Sequence, residues 1–173
     1  GELFVEEVFS ENITFDDNKI KNASYDQDRG FGIRAVSGDS VNFFHSSVIN
    51  QDTLINGIKL VKKGSNLKTP QKTGFSKTNK FLYDNINPIS LISLDKKITL
   101  LKNINNYARK IDNSVKQVSI SLNGNFQNVE ITKYNGTFFN DLRPLVRLNV
   151  NVSVEKNGRI ETGSFGMGGR ITY

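Results

Sequence analysis

The clearest pattern in the chain is a regular alternation of apolar and polar residues near its end. Between residues 146 and 155 the apolar positions are Val146, Leu148, Val150, Val152 and Val154, and the polar ones are Arg147, Asn149, Asn151, Ser153 and Glu155. A period of two predicts a strand with one dry face and one wet face. Pro144, just before this run, predicts an interruption or a bulge.

Apolar runs in the first part of the chain predict further strands near residues 2–15, 20–25, 31–37 and 40–45. A two-residue loop at Gly38-Asp39 would pair Val36 with Val41, and Ile33 with Phe44, on opposite faces of a hairpin. Because both faces carry apolar groups, we expect this hairpin in the centre of a sheet, covered on both sides.

Two stretches have the residue spacing of amphipathic helices. The first follows Asn50 or Asp52, either of which could be its N-cap, and Gly64 is its expected end. The second follows Ser93, and its buried stripe is expected to run through residues 94–111.

Hairpin signals dominate the last third of the chain. Asn-Gly, the strongest short hairpin signal, predicts turns at 123–124, 135–136 and 157–158, and therefore four strands. At the last turn, a three-residue loop would pair Val154 with Ile160 and Glu155 with Arg159, whereas a two-residue loop would mix the faces. We therefore predict a type I turn with a bulge and a positive φ at Gly158.

The order of these elements predicts an α+β fold, with mainly antiparallel sheets in two β-rich halves and two principal helices packed on them. The expected divisions are a first β-rich subdomain with one helix at 1–63, an exposed linker at 64–88 with a short strand at 81–83, and a second subdomain at 89–173. The chain has no Cys, which excludes disulfides and Cys-based zinc sites. No apolar run approaches the ~20 residues of a membrane span.

The net charge of +6 is unevenly distributed. A stretch without acidic residues holds Lys59, Lys62, Lys63, Lys68, Lys72, Lys77 and Lys80. Such a run could bind nucleic acid, but no pattern of alternating aromatic and basic residues and no recognition-helix pattern accompanies it, so we favour a solvated linker. A DNA titration across salt separates the two interpretations, because phosphate-driven binding weakens steeply as salt rises.

No catalytic constellation is recognisable. Residues 30–35 match a dinucleotide-binding pattern, but a strand pattern follows it where a helix is required, so a close approach between strands is favoured. His45 is the only imidazole, and one His makes neither a relay nor a good metal site. The glycine-rich run at 163–169 lacks the ending of a phosphate-binding loop, and we expect it to let backbone pass close to another chain or domain.

Three stretches together resemble the TldD/PmbA family of peptidases, and its TldD-type members in particular, known also as proposed modulators of DNA gyrase. They are residues 17–24 with 30–38, residues 97–111 with 115–122, and residues 141–148 continuing through 163–170. The resemblance covers nearly the whole chain, with 64–88 matching least.

The resemblance implies a cytoplasmic zinc metallopeptidase that degrades unfolded peptides or matures peptide antibiotics. A TldD-like chain would pair with a related TldE/PmbA-like subunit, or form a homo-oligomer, and enclose a chamber. The family's metal motif has no counterpart in this sequence, so the chain is expected to be an N-terminal, non-catalytic region, with no catalytic or metal residue assigned. Expected contacts with substrate or partner are Arg143, Arg147, Gly166, Gly168, Gly169 and Arg170.

Overall fold

The computed structural model of the chain describes residues 1–63, 76–77 and 82–173. Within these residues the elements, in order, are β1 (Glu2–Asp16), β2 (Lys19–Ser37), β3 (Ser40–Ser46), α1 (Gln51–Lys62), β4 (Ser76–Lys77), α2 (Pro88–Leu91), α3 (Leu94–Ile111), β5 (Val115–Lys133), β6 (Thr137–Lys156) and β7 (Arg159–Gly169).

The strands of the described residues form a seven-stranded sheet in the order β3-β2-β1-β5-β6-β4, and β7 pairs with β6. The β2–β3 and β6–β7 pairs are antiparallel, and the short β4 pairs in parallel with the start of β6. The predicted α+β fold with mainly antiparallel pairing is therefore confirmed.

Contacts within the chain divide it into two compact units. The first contains residues 1–8, 27–82 and 127–142, and the second contains residues 9–26, 83–126 and 143–173. The boundaries fall inside the long strands β1, β2, β5 and β6. Each unit therefore contains a part of each of these strands.

The first unit packs α1 against strands. Its buried core consists of Phe31, Ile33, Ala35 and Val61, with Leu3, Val5, Phe44 and Leu54 packed against it. Asn50 is the N-cap, as one of the two predicted alternatives, because its Oδ1 accepts a hydrogen bond from the Thr53 amide at 2.8 Å. The predicted helix end at Gly64 lies outside the described residues.

The β2–β3 hairpin has the predicted register, with Val36 opposite Val41 and Ile33 opposite Phe44. Its predicted central position is wrong. Strand β3 is an edge strand of the sheet, and Val41 and Phe43 are 57% and 64% exposed. The reason is that α1 packs on the face that carries Phe44, while the opposite face stays exposed in the described residues.

The second unit packs α3 against strands. Its buried core is Ile13, Phe15, Leu101, Val118, Ile120 and Leu122, and Leu148, Val150 and Val152 on the dry face of β6 pack against it. Ser93 is the N-cap of α3, although its side chain makes no capping hydrogen bond. Leu94 and Ile111, predicted to be buried, are exposed because they are the terminal residues of the helix, where the packed core ends.

One predicted turn lies inside a strand. β5 continues through Asn123-Gly124, so three long strands, and not four, follow α3 in the described residues. A Cβ at Gly124 would stand 2.2 Å from the Tyr173 hydroxyl and 2.9 Å from Ile89 Cγ1. This glycine therefore serves close packing and not chain reversal.

The turn at Asn157-Gly158 exists, but its predicted register is wrong. The loop has two residues, both with positive φ (54° and 76°), which defines a type I′ turn and confirms the positive φ of Gly158. Val154 therefore faces Glu161, and Glu155 faces Ile160. Ile160 is 67% exposed, so β7 has no buried face here. Pairing an apolar residue with a polar one therefore buries no polar side chain and costs little.

Three further predictions concern residues 135–136, residues 81–83 and Pro144. The turn at Asn135-Gly136 is confirmed, with a φ of 83° at the glycine. Leu82 and Tyr83 form a bend instead of the predicted short strand, and residue 81 lies outside the described residues. Pro144 is buried inside β6 and does not interrupt it.

Candidate functional site

Strand β7 offers one free edge. It pairs with β6 along its whole length, from Arg159 to Gly169, and no strand of the described residues pairs with its other edge. Its apolar side chains are also open, with Phe165 and Met167 67% and 55% exposed. A row of backbone N–H and C=O groups is therefore available to an incoming strand.

Two hydrogen bonds in series fix the orientation of the Arg147 side chain, which lies on the polar face of β6. Its Nε donates to Asn149 Oδ1 at 2.9 Å, and Asn149 Nδ2 donates to the Ser121 hydroxyl at 3.2 Å. The described residues provide no acceptor for the two terminal nitrogens of the guanidinium. Arg147 thus presents two oriented donors that are still available.

The glycines of β7 make the space in which Arg147 lies. Gly166 and Gly168 stand opposite Asn149 and Arg147 in the register. A Cβ at Gly166 would lie 2.8 Å from Asn149 Oδ1 and 3.4 Å from Arg147 Nη2. A Cβ at Gly168 would lie 2.4 Å from the Val146 carbonyl oxygen. The Arg147 guanidinium therefore lies beside Gly166 of β7, and a side chain at Gly166 or Gly168 would collide with Asn149 or with the backbone of β6.

The remaining predicted contact residues lie in the same unit. The guanidinium of Arg170 lies over the ring of Tyr83, 5.2 Å from its centroid, in a cation–π contact. Arg143 is half-buried in β6, and its even separation from Arg147 puts both on one face of the strand. Gly169 pairs with Val146 at the end of the hairpin. Of the predicted set, the structure brings Arg147, Gly166 and Gly168 into direct proximity.

A second polar cluster, around Lys97, was not predicted from the sequence. Lys97 is 2% exposed, and its Nζ donates to Glu11 Oε2 at 2.6 Å and to the Ile89 carbonyl at 2.7 Å. The Tyr173 hydroxyl donates to the same Glu11 oxygen at 3.0 Å. Burial, together with the negative charge of Glu11, raises the pKa of Tyr173 well above its ordinary value. The only feature of the sequence that could have indicated the burial of Lys97 is its position one helical turn before the buried Leu101.

The other motifs have structural roles or stand alone. Residues 30–35 lie inside β2, away from any strand-to-helix junction, so the dinucleotide pattern is a close approach of strands. A Cβ at Gly32 would lie 3.2 Å from the Phe43 ring. His45 is exposed beside Phe43, with ring centroids 5.9 Å apart. In the described parts of the chain, no three His, Cys, Asp or Glu side chains are grouped so as to hold a metal ion.

The basic stretch is described only in part. Lys59, Lys62 and Lys63 lie exposed at the end of α1. The side chains of the other four lysines lie outside the described residues. None of the helices described is both long enough and apolar enough to cross a membrane.

Two family models match the chain. The model of the PmbA/TldA metallopeptidase domain 1 matches residues 1–64, and that of the PmbA/TldA metallopeptidase central domain matches residues 87–173. The chain therefore belongs to the PmbA/TldA (TldD/PmbA) metallopeptidase family, as the sequence resemblance predicted.

Curated relatives give a narrower comparison. A metalloprotease TldD homolog from Haemophilus influenzae is 39% identical over 178 residues, which cover 99% of this chain and 36% of the relative. A metalloprotease TldD homolog from Buchnera aphidicola subsp. Schizaphis graminum is 33% identical over 175 residues, covering 100% of this chain and 36% of the relative. The chain thus spans 36% of the length of these relatives.

Solved structures share the fold at low sequence identity. A proposed modulator of a DNA gyrase from Thermotoga maritima has a TM-score of 0.80 at 12% identity, covering 98% of this chain and 39% of that chain. TldE from Thermococcus kodakarensis has a TM-score of 0.61 at 15% identity, covering 98% and 40%.

Proposed function

We propose that this chain is a non-catalytic part of a TldD-like zinc metallopeptidase, which helps to form the substrate chamber and the subunit interface. Support comes from the match of both of its halves to metallopeptidase family domains and from its 36% coverage of TldD homologs. The described residues do not suit zinc, since they offer no group of three ligands. In this proposal the metal is bound by the remainder of a longer, cytoplasmic protein.

The proposed partners are a peptide substrate and a second, TldE-like subunit or another copy of the chain. The likeness in fold to TldE from Thermococcus kodakarensis supports a related second subunit. The match to two domain models supports treating residues 1–63 and 89–173 as separate subdomains joined by 64–88.

The proposed role of this chain in peptide binding rests on the free edge of β7. An extended peptide that adds to a sheet edge gains backbone hydrogen bonds, which do not depend on its side chains. Such binding suits a peptidase that accepts unfolded peptides of many sequences. The role proposed for β7 is therefore to hold the substrate as an additional strand.

The hairpin geometry supports a choice of the β7 residues that would bind the peptide. In an antiparallel pair closed by a two-residue type I′ turn, Lys156 and Arg159 exchange hydrogen bonds, and such pairs recur at every second residue. The even-numbered residues of β7, including Ser164, lie between these hydrogen-bonded pairs, so their N–H and C=O groups point away from β6. A proline at residue 164 would remove an outward donor without removing a bond to β6.

The test follows amide signals of the isotopically labelled chain by NMR while an unfolded peptide is added. We expect shifts at the even-numbered residues of β7. Ser164→Pro should weaken peptide binding by about two- to tenfold, the equivalent of one net backbone hydrogen bond, and Ser164→Ala should leave it unchanged. Peptide binding that leaves β7 amides unshifted, or that Ser164→Pro does not weaken, would refute the proposal.

A further inference from the structure

We infer that Arg147 binds a carboxylate of the peptide held at β7, so that peptides with a free carboxylate in this register are the favoured substrates. This inference rests on the edge pairing proposed above and adds a chemical preference to it. The carboxylate belongs either to an Asp or Glu side chain or to the C-terminus of the peptide.

The guanidinium of Arg147 has a fixed direction. Asn149 binds its Nε, and Asn149 is itself fixed by Ser121, so the side chain is oriented before any ligand arrives. Nη2 lies 3.4 Å from where a Cβ of Gly166 would be, which places the guanidinium over the edge strand. The two terminal nitrogens retain the planar pair of donors that matches a carboxylate.

The charges of the β6–β7 hairpin leave Arg147 available to an anion. Within the paired residues 146–169, the two carboxylates, Glu155 and Glu161, lie near the turn and already have cationic partners. Glu155 is 3.6 Å from Lys116, and Glu161 is 2.5 Å from Arg159. Arg147 stands opposite Gly168, towards the other end of the hairpin. Its positive charge is thus available to a negatively charged ligand.

Arg147 lies close to the free edge of β7. Gly166 and Gly168 belong to the even-numbered set of β7, whose backbone groups point outward in the register described above. A peptide residue paired with them lies beside the guanidinium, with no side chain from β7 in between. A carboxylate on that residue can meet Arg147 while the peptide backbone remains paired.

The binding experiment uses the chain with three fluorescently labelled, extended peptides of equal length. One carries Glu and an amidated C-terminus, one carries Gln and a free C-terminus, and one carries Gln and an amidated C-terminus. We expect the third peptide to bind weakest. A tighter first or second peptide identifies a side-chain or a terminal carboxylate, respectively.

The variants identify the residue responsible. Arg147→Gln should weaken the carboxylate peptide about tenfold, the loss of one charge-assisted pair, and should change the neutral peptide less than about twofold. Arg159→Gln is the matched control, because it removes one positive charge from the same hairpin. Gly166→Ala, whose Cβ would displace the Asn149 amide oxygen that orients Arg147, should weaken binding, whereas Gly163→Ala, with nothing within 4 Å of its Cβ, should not.

Two outcomes would overturn the inference in distinguishable ways. If all peptides bind equally, or if Arg147→Gln and Arg159→Gln weaken binding equally, β7 still holds peptides but Arg147 does not select them. If no peptide shifts the β7 amides, the edge pairing itself is refuted, and the inference about Arg147 is refuted with it.

Discussion

Replacing Lys97 by Met should strongly destabilise the second unit. Met keeps the apolar stem of the side chain but removes the ammonium that bonds Glu11 and the Ile89 carbonyl. The Glu11 side chain is only 10% exposed, so its carboxylate would remain almost buried, with the Tyr173 hydroxyl as its remaining donor in the described residues.

The magnitude follows from the burial of both charges. Breaking a buried ion pair by removing one partner costs about 3–5 kcal/mol, because the other charge is left uncompensated. In a chain of this size each kcal/mol lowers the melting temperature by about 2–4 °C, so a fall of roughly 6–20 °C is expected. Changing both residues, Glu11→Gln with Lys97→Met, should recover most of the loss, because both charges of this buried pair are then removed.

The assay is urea unfolding at neutral pH, followed by circular dichroism and by hydrogen exchange of β5 amides. Lys116→Met provides the control, because that lysine pairs with Glu155 at 3.6 Å but is 61% exposed. The control should change the unfolding free energy by no more than about 0.5 kcal/mol. A loss below about 1 kcal/mol for Lys97→Met would refute the reasoning, since it would mean that the buried carboxylate needs no cation.

Two further predictions concern packing and pH. Gly57→Ala would gain about 1 kcal/mol of helix propensity, but its Cβ would stand 2.5 Å from Phe44 Cδ1 and 2.9 Å from Ile33 Cδ1. Overpacking of this kind costs about 1–3 kcal/mol, so a net loss is expected in the same urea assay, and a gain would contradict it. The pKa of Tyr173 is raised in the folded chain, so its contribution to stability is fully present below the ordinary value of 10.0 and is lost as the pH rises above it. Stability measured by urea unfolding across this range should fall more steeply for the wild type than for Tyr173→Phe, and equal slopes would refute the assignment.

Local sequence signals predicted those features whose causes are local. The dry face of β6, the Asn50 cap and the register of the β2–β3 hairpin each depend on residues close together in the chain. The prediction that the glycine-rich run lets backbone pass close to another chain or domain stays a prediction. The sequence did not predict that two of these glycines would lie against Arg147 and Asn149 of the neighbouring strand.

Two of the features missed from the sequence depend on residues far apart in the chain. Asn123-Gly124 forms no turn, because its glycine accommodates Tyr173. Lys97 was not predicted to be buried, and its burial depends on Glu11, which is 86 positions away. The register at 157–158 was predicted on the assumption that β7 has a buried face, which the exposure of its side chains contradicts.

The composition of β7 also affects whether the chain associates with itself. An open strand edge is a template on which further copies of a chain can add and aggregate. Four of its eleven residues are glycine, at 163, 166, 168 and 169. Glycine loses more backbone entropy on ordering than any other residue and contributes no side chain to a sheet-to-sheet interface, so stacking of copies through β7 gains little. The glycines that leave room for the guanidinium therefore also oppose the growth of fibrils from this edge.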